Sequence, residues 1–327
     1  VKIFRLILFI LHLGILFLLL GTLLNAYVPP KIFPWFNLLS LGFPILIILY
    51  IVLTVFWVFS WKKRAFVFMF AGLAFINPVK RWVNYSDKKG NSEIKVVSFN
   101  TRGGGNKDIG PYLRTQNADV LLLQEDSGRK YQFEGYQKTT PGKGLMLLTK
   151  HKIIKQQIID PQDDNVRVPG LQVDIEIHGR IYRFIDVYLH PFRFEKDMVK
   201  LNTNTDTNEK KIKDVVKRLI PTFKKHQEQV DLIREVIKNS PYPVILAGDF
   251  NSVPNSYEYY HLSEGLEDAF LTAGRGSATS FHDYKFPIRI DYVFSSKSLK
   301  AISYQVDRSV SISDHYPVTV KFSTEDK

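Results

Sequence analysis

Two uncharged apolar runs near the N-terminus set the first limit on this chain. Leu6 to Leu24 is 19 residues long, with only His12, Gly14, Gly21 and Thr22 among the aliphatics and aromatics, and Leu38 to Phe59 is 22 residues without a charge. Each is long enough to cross about 30 Å of hydrocarbon. The first is too long for the apolar core of a cleaved signal, and a second run follows it, so the pair reads as an integral membrane region. Ala65 to Val79 is a third, weaker candidate that contains Asn77 and Pro78 and has Trp82 as an interfacial anchor, extending the possible span to 65–82. Residues 1–84 are thus expected to form a transmembrane region of two to three helices. Val in place of Met at position 1 suggests a trimmed or alternative start.

Charge supports this division. The first 86 residues carry eight Lys or Arg and no acid, so the remainder holds only +4 of the formal +12. The basic character belongs mostly to membrane-flanking residues, which weakens any argument from charge to nucleic acid. Lys2 and Arg5 at one end, and Lys62, Lys63 and Arg64 after the second run, are the strongest positive-inside signals. If the third segment spans, the downstream domain is exported, with a plasma or inner membrane as the expected location. If it does not span, the domain faces the cytoplasm. Lys80, Arg81, Lys88 and Lys89 pull toward the second arrangement, and three spans are the favoured reading. The chain has no Cys, which excludes disulfides, thiolate nucleophiles and Cys-based metal sites.

Residues 85–92 read as a polar linker, and from Glu93 to the end the pattern changes to short apolar runs between turn signals. The runs are Ile94–Phe99, Val120–Leu123, Leu145–Leu148, Val173–Ile177, Ile181–Leu189, Val244–Ala247, Ile290–Phe294 and Tyr316–Phe322. Asn208 to Lys238 has helical periodicity, with Pro221 expected to interrupt it. It reads as a helix covering the core, with a basic membrane-surface helix as the other option. Leu201 to Asn208 is a polar loop by composition.

Four of the strands run into polar residues: Asn100, Gln124-Glu125, His190, and Asp249 followed by Asn251. In layered α/β folds the ends of neighbouring strands share one rim, where side chains are held rigidly and loops give access. Asp314-His315 precedes its strand, so an antiparallel neighbour would bring it to the same rim. Asp291 lies inside Arg289–Phe294, where alternation should turn it inward. A buried carboxylate needs a partner, and a histidine would both pair with it and be oriented by it. Each residue alone is an ordinary turn former; together they are poorly explained as turns.

The strings VSFN (Val97–Asn100), LQE (Leu123–Glu125), VYLHP (Val187–Pro191), AGDFN (Ala247–Asn251), RIDY (Arg289–Tyr292) and SDHYPV (Ser313–Val318) resemble, in order and context, the endonuclease/exonuclease/phosphatase superfamily. The likeness covers about Glu93 to Phe322. It implies a four-layer α-β-β-α sandwich of two mixed sheets as the fold class, and metal-dependent phosphoester hydrolysis as the reaction. By that resemblance Glu125 is the principal ligand of Mg²⁺, or of Mn²⁺, with Asn100 and Asp314 near the ion. Asp249 would orient or deprotonate the attacking water and Asn251 would hold phosphate or nucleophile. His315, oriented by Asp291, and His190 would contact phosphate or handle the leaving group, and their division of labour stays open. Arg167 is a candidate for an additional phosphate contact. The expected substrate is a phosphodiester or phosphomonoester, a lipid headgroup or an extracytoplasmic phosphoester among them, with the bilayer as the other partner. A membrane-anchored nuclease, using a basic loop at Lys150–Lys155 to follow a nucleic-acid backbone, is the alternative, and a non-catalytic binding domain is a third reading.

Overall fold

The structure is a computed structural model that describes residues 2–86, 90–126, 131–139, 142–161, 167–192, 205–283 and 288–324. Residues 87–89 of the linker, with Lys88 and Lys89, and 193–204, which include the first half of the polar run at 201–208, lie outside the described residues.

Four helical segments open the chain: α1 (Lys2–Leu23), α2 (Trp35–Ser60), α3 (Lys62–Gly72) and α4 (Ile76–Lys80), the last two joined by a 3₁₀ turn at Leu73–Phe75. Two helical stretches, Lys2–Ala26 and Trp35–Ser60, are long and apolar enough to cross a membrane, and little of each is buried. The third segment is shorter and broken. Its contacts fix how the segments run. Arg64 donates to the Arg5 carbonyl (3.5 Å) and covers the Phe9, Trp57 and Trp61 rings. Further along, the Trp57 indole donates to His12, and the Tyr50 hydroxyl donates to the Phe68 carbonyl. At the far end Asn25 donates to the Phe36 carbonyl and also to that of Asn255. The chain therefore passes back and forth three times, with Arg5, Lys62, Lys63 and Arg64 gathered at the end remote from the folded domain.

The folded domain begins earlier than the polar linker suggests. Strand β1 (Val83–Tyr85) pairs with Arg275–Ser277, and Asn84 donates to the carbonyls of Phe270 and Leu271. The main strands follow as β2 (Ile94–Asn100), β3 (Val120–Gln124), β4 (Gln137–Lys138), β5 (Leu145–Thr149), β6 (Lys152–Ile159), β7 (Gly170–Ile177), β8 (Arg180–Tyr188), β9 (Val244–Asp249), β10 (Glu267–Asp268), β11 (Arg275–Ser277), β12 (Asp291–Ser295), β13 (Leu299–Val306) and β14 (Val318–Thr324). One six-stranded sheet has the order β13-β14-β2-β3-β5-β4 and the other β10-β12-β9-β8-β7-β6. The β2/β3 and β8/β9 pairs are parallel and the remaining pairs antiparallel, so both sheets are mixed.

Period-two alternation explains the layers. Ile94 and Val96 of β2 and Val120 and Leu122 of β3 meet Val173, Phe184, Ile245 and Val293 between the sheets. Val97, Phe99, Leu121 and Leu123 point the other way, onto Ile109 and Leu113 of helix α5 (Ile109–Gln116). Ile185, Val187 and Leu246 face outward onto Val230 and Ile233 of helix α6 (Thr205–Lys238). The result is the expected α-β-β-α sandwich.

Two expectations are corrected. Helix α6 runs through Pro221 as one 34-residue element, because Leu219 and Phe223 are buried on either side of the proline and outweigh the lost backbone hydrogen bond. Lys150–Lys155 is mostly strand rather than loop. Lys152 opens β6 opposite Glu176 of β7, whose neighbour on β8 is Ile181, near that strand's start. That is the rim opposite the one at which β8 and β9 end.

Candidate active site

The last inward-facing residue of several strands is polar, and these residues converge. Asn100 ends β2, Tyr188 ends β8, Asp249 ends β9 and Asp291 begins the antiparallel β12. Asp291 and Asp249 are direct cross-strand partners. Two carboxylates so placed repel each other, and a neighbouring cation is required. His315 supplies it: Nδ1 is 2.8 Å from Asp291 Oδ2, and Nε2 is 3.8 Å from Asp249 Oδ2. Pairing of β14 with β2 brings the Asp314-His315 turn to this rim, where Ser313 donates to the Asn100 carbonyl (2.8 Å) and to Asp314 Oδ1 (3.1 Å).

Burial and charge set the protonation here. Burial alone would lower the His315 imidazolium, but Asp291 and Asp249 outweigh it and push it up to about 10. Burial pushes the Asp249 carboxyl up to about 7, with His315 opposing and Asp291 adding. The imidazole ring is fixed by Asp291 from one side, which leaves Nε2 facing Asp249 and the open rim.

Asn100 joins this cluster to Glu125. Its Nδ2 donates to Asp249 Oδ2 (3.0 Å) and Glu125 Oε1 (3.2 Å), while its Oδ1 accepts from the Arg102 amide. Glu125 follows β3 with φ +50°, a left-handed conformation uncommon for Glu that turns its side chain off the strand line. The Tyr188 hydroxyl donates to the same Oε1 at 2.6 Å. Burial, with Glu125 and Asp249, drives that hydroxyl well above its ordinary value, so it stays a donor. Arg167 stacks on the Tyr188 ring at 4.3 Å, beside Glu125. Asn251 donates from its backbone to Asp249 Oδ1 (2.8 Å) and from its side chain to Asp249 Oδ2 and the Leu189 carbonyl. Gly248 is needed before this turn: at φ +141°, a Cβ there would lie 2.0 Å from the Val187 carbonyl oxygen.

The structure thus gathers Asn100, Glu125, Asp249, Asn251, Asp291, Asp314 and His315. His190 reaches the same rim with its main chain held on both sides, its amide donating to Gln229 and its carbonyl accepting from His226. Behind it, His226 Nδ1 lies 2.6 Å from buried Glu258, whose two oxygens also receive the Asn37 amide of α2 at 3.1 and 3.0 Å. Tyr188 and Ser313 stand in the quoted strings without a role, and this Asn37-Glu258-His226 chain is absent from the sequence reading. Tyr188 was within reach, because inward alternation from Phe184 through Asp186 leads to it.

The donor set suits a hard divalent cation. Glu125, Asp249 and Asp314 present oxygens to one cavity, and Glu125 Oε2 accepts no hydrogen bond among the described residues. Mg²⁺ needs only one or two carboxylates besides water. Asp249, Asp291 and His315 bring ligand atoms within 4.8 Å of one another. Asp291 already occupies the imidazole Nδ1, so this trio reads as a proton-handling group, and the ion fits better against Glu125.

A family model described as the Endonuclease/Exonuclease/phosphatase family matches residues 97–315, and one described as a domain of unknown function matches residues 4–82. No curated protein matches the sequence. Among solved structures, the chain resembles an endonuclease/exonuclease/phosphatase from Bacteroides vulgatus at 16% identity and TM-score 0.53, covering 72% of this chain and 100% of the other. It also resembles a mannosyl-6-phosphatase from Bacteroides thetaiotaomicron (18%, TM-score 0.51, 70% and 99% covered). A third is D. rerio TDP2 complexed with a single-strand DNA product (16%, TM-score 0.51, 72% and 100% covered). Likeness at such identities establishes the fold.

Proposed function

The chain belongs to the endonuclease/exonuclease/phosphatase family, whose members are generally hydrolases of phosphoesters, and on that premise we propose that it is a membrane-held, metal-dependent phosphoester hydrolase. The observation that carries the reading is the linked set in which Asn100 bridges Asp249 and Glu125 while Asp291 orients His315 against Asp249.

A divalent cation of the Mg²⁺ or Mn²⁺ kind, held by Glu125 with Asn100 and Asp314 beside it, would supply positive charge to a phosphoryl group. The remaining work falls to the chain. Asp249, fixed by Asn100 and Asn251, is placed to orient the attacking water and accept its proton. A carboxyl raised toward neutrality is a better base than one at its ordinary value. His315 carries a proton across the neutral range and directs it at the rim, where it stabilises charge accumulating on the phosphoryl oxygens. Asn251 holds the phosphate or the water. His190 serves a second phosphate oxygen or the leaving group, and Arg167, beside Glu125, is a further phosphate contact. Tyr188 and Asn100 keep Glu125 oriented.

The helical arrangement supports a spanning reading in which the catalytic domain is exported. The basic end of the three passes lies away from that domain, and the positive-inside rule assigns this end to the cytoplasm. A reporter that works only in the cytoplasm, fused after Ser86, is expected to stay silent; a bright fusion would reverse the orientation.

The activity itself is tested with the purified full chain and Mg²⁺ on phosphomonoesters, phosphodiesters, DNA and RNA. Turnover that requires the metal and collapses in Asp249→Asn is expected. Metal binding without hydrolysis of any of them would leave a binding domain.

A further inference from the structure

A cavity of about 560 Å³ begins at the catalytic rim, where Glu125, Asp249 and His315 form its polar end. Its volume is in the range of small-molecule sites. Away from those residues most of the lining is apolar, with Asn37, Ser40, Ser252 and Ser256 among it. Phe192, Leu219 and Phe223 close one side, and Phe281, Ile288 and Ile290 the other. The phosphoryl chemistry makes no use of these six side chains. A further wall is helix α2, through Ser40, Leu41, Pro44 and Ile45.

The α2 wall does not stop at the cavity. Leu41, Ile45, Ile48, Val52, Val55 and Phe59 recur at alternating intervals of four and three, which places them along one face of a helix. All six are exposed, Leu41 at 37% and Ile45 at 59%. The stripe is thus continuous from the cavity to the basic end of α2. In a bilayer this face meets hydrocarbon, so a chain lying in the lipid can follow it to the catalytic rim without crossing water.

Pro44 lies inside this part of α2. It has no amide hydrogen to give the Ser40 carbonyl, and Ser40 is itself buried. The polar lock between Asn37 and Glu258 holds the N-terminal turn of α2 against the catalytic domain, so this wall has a fixed position.

We propose that this cavity takes the hydrocarbon chain of a membrane lipid phosphoester, which α2 delivers from the bilayer with its phosphate toward Asp249 and His315. The inference rests on the hydrolase reading and names its substrate class. A nucleic acid or a sugar phosphate has no apolar chain for the six-residue wall and the α2 stripe.

The test uses the full chain with Mg²⁺ and a series of water-soluble monoalkyl phosphates from ethyl to decyl, with the matching 4-nitrophenyl alkyl diesters, all below micelle-forming concentrations. Each methylene buried should raise kcat/KM by about fourfold until the cavity is filled. Leu41→Asn, at an exposed position, and Phe223→Ser should flatten that rise. A decyl phosphate carrying a terminal diazirine should crosslink to α2 between Leu41 and Val52. Turnover that is flat in chain length, or a crosslink that maps away from α2, would overturn the lipid site and leave the hydrolase standing. A crosslink on α2 with no turnover of any ester would keep the chain site and remove the hydrolytic reading.

Discussion

Asn37 of helix α2 donates its side-chain amide to both carboxylate oxygens of Glu258, 221 residues away, at 3.1 and 3.0 Å. Its own carbonyl oxygen accepts the Tyr257 amide at 2.7 Å. Burial would raise the Glu258 carboxyl, but the hydrogen bond and charge of His226 and the Asn37 amide outweigh it and hold the group below its ordinary value. Because His226 also holds the His190 carbonyl, the N-terminal helices are tied to the rim at Asp249 through three consecutive contacts, two of them fully buried.

Removing Asn37 should therefore weaken the whole chain. Asn37→Ala is expected to cost about 2 kcal/mol, the usual loss for a buried hydrogen bond to a charged group. Asn37→Asp should cost more, since it sets a second carboxylate against Glu258 in the same dry site. Denaturation of the full chain in detergent measures both, and equal stability of the two variants would break the argument.

Catalytic substitutions separate groups that act directly from groups that position. Asp249→Asn and His315→Ala should each lower turnover by about a hundredfold or more, with near-normal rates refuting the assigned roles. Asp291→Asn should also slow turnover, and in addition should move the His315 imidazolium down toward its ordinary value, because Asp291 is the first of the charges that raise it. Ring-nitrogen NMR shifts report that change, which a merely structural role for Asp291 would not produce.

The metal-free site makes stability depend on pH with a definite sign. His315 is raised in the folded state, so its contribution is fully present below about 6.5 and is lost as pH rises through about 10. Asp249 is also raised, so the folded chain again holds the extra proton, between the ordinary carboxyl value and about 7. The melting temperature in chelator should fall steadily from mildly acidic to alkaline pH. His315→Ala should flatten the upper part of that fall.

Chelation should abolish activity and Mg²⁺ or Mn²⁺ should restore it. Glu125→Gln should raise the metal concentration needed well beyond tenfold. Tyr188→Phe, which removes the hydroxyl that orients Glu125, should raise it about tenfold. Titration of activity against metal distinguishes these from a loss of folding, because saturating metal should recover the Tyr188 variant.

Lys152→Gln and Lys155→Gln should leave hydrolysis of any substrate unchanged, DNA and RNA included. Both residues lie on β6 toward the rim opposite Asp249. A selective loss of nucleic-acid cleavage in either would return weight to the nuclease reading.

Much of this site was legible because strand-end positions are local facts. An apolar run that closes on Asn100, Glu125 or Asp249 announces both a strand and its polar terminus. Asp291 could be placed inward by counting in twos. Several other elements carry no such mark. β6 alternates too weakly, with Lys, Gln and Ile exposed along an edge, and so it read as a basic loop. Pro221 read as a break because local propensity cannot register Leu219 and Phe223 buried beside it.

The amino-acid sequence by itself determined the division into an apolar, acid-free N-terminal region and a folded domain, the layered α/β fold, and the residues of the reactive rim. These follow from hydrophobic periodicity and from polar side chains at strand ends, both properties of neighbouring residues. Only the tertiary structure decided that Asn37 grips Glu258, that Tyr188 and Asn100 share one oxygen of Glu125, and that α2 forms a wall of the cavity at Asp249 and His315. Those are contacts between segments up to 221 residues apart, fixed by how two sheets and the N-terminal helices pack together. No local pattern records them.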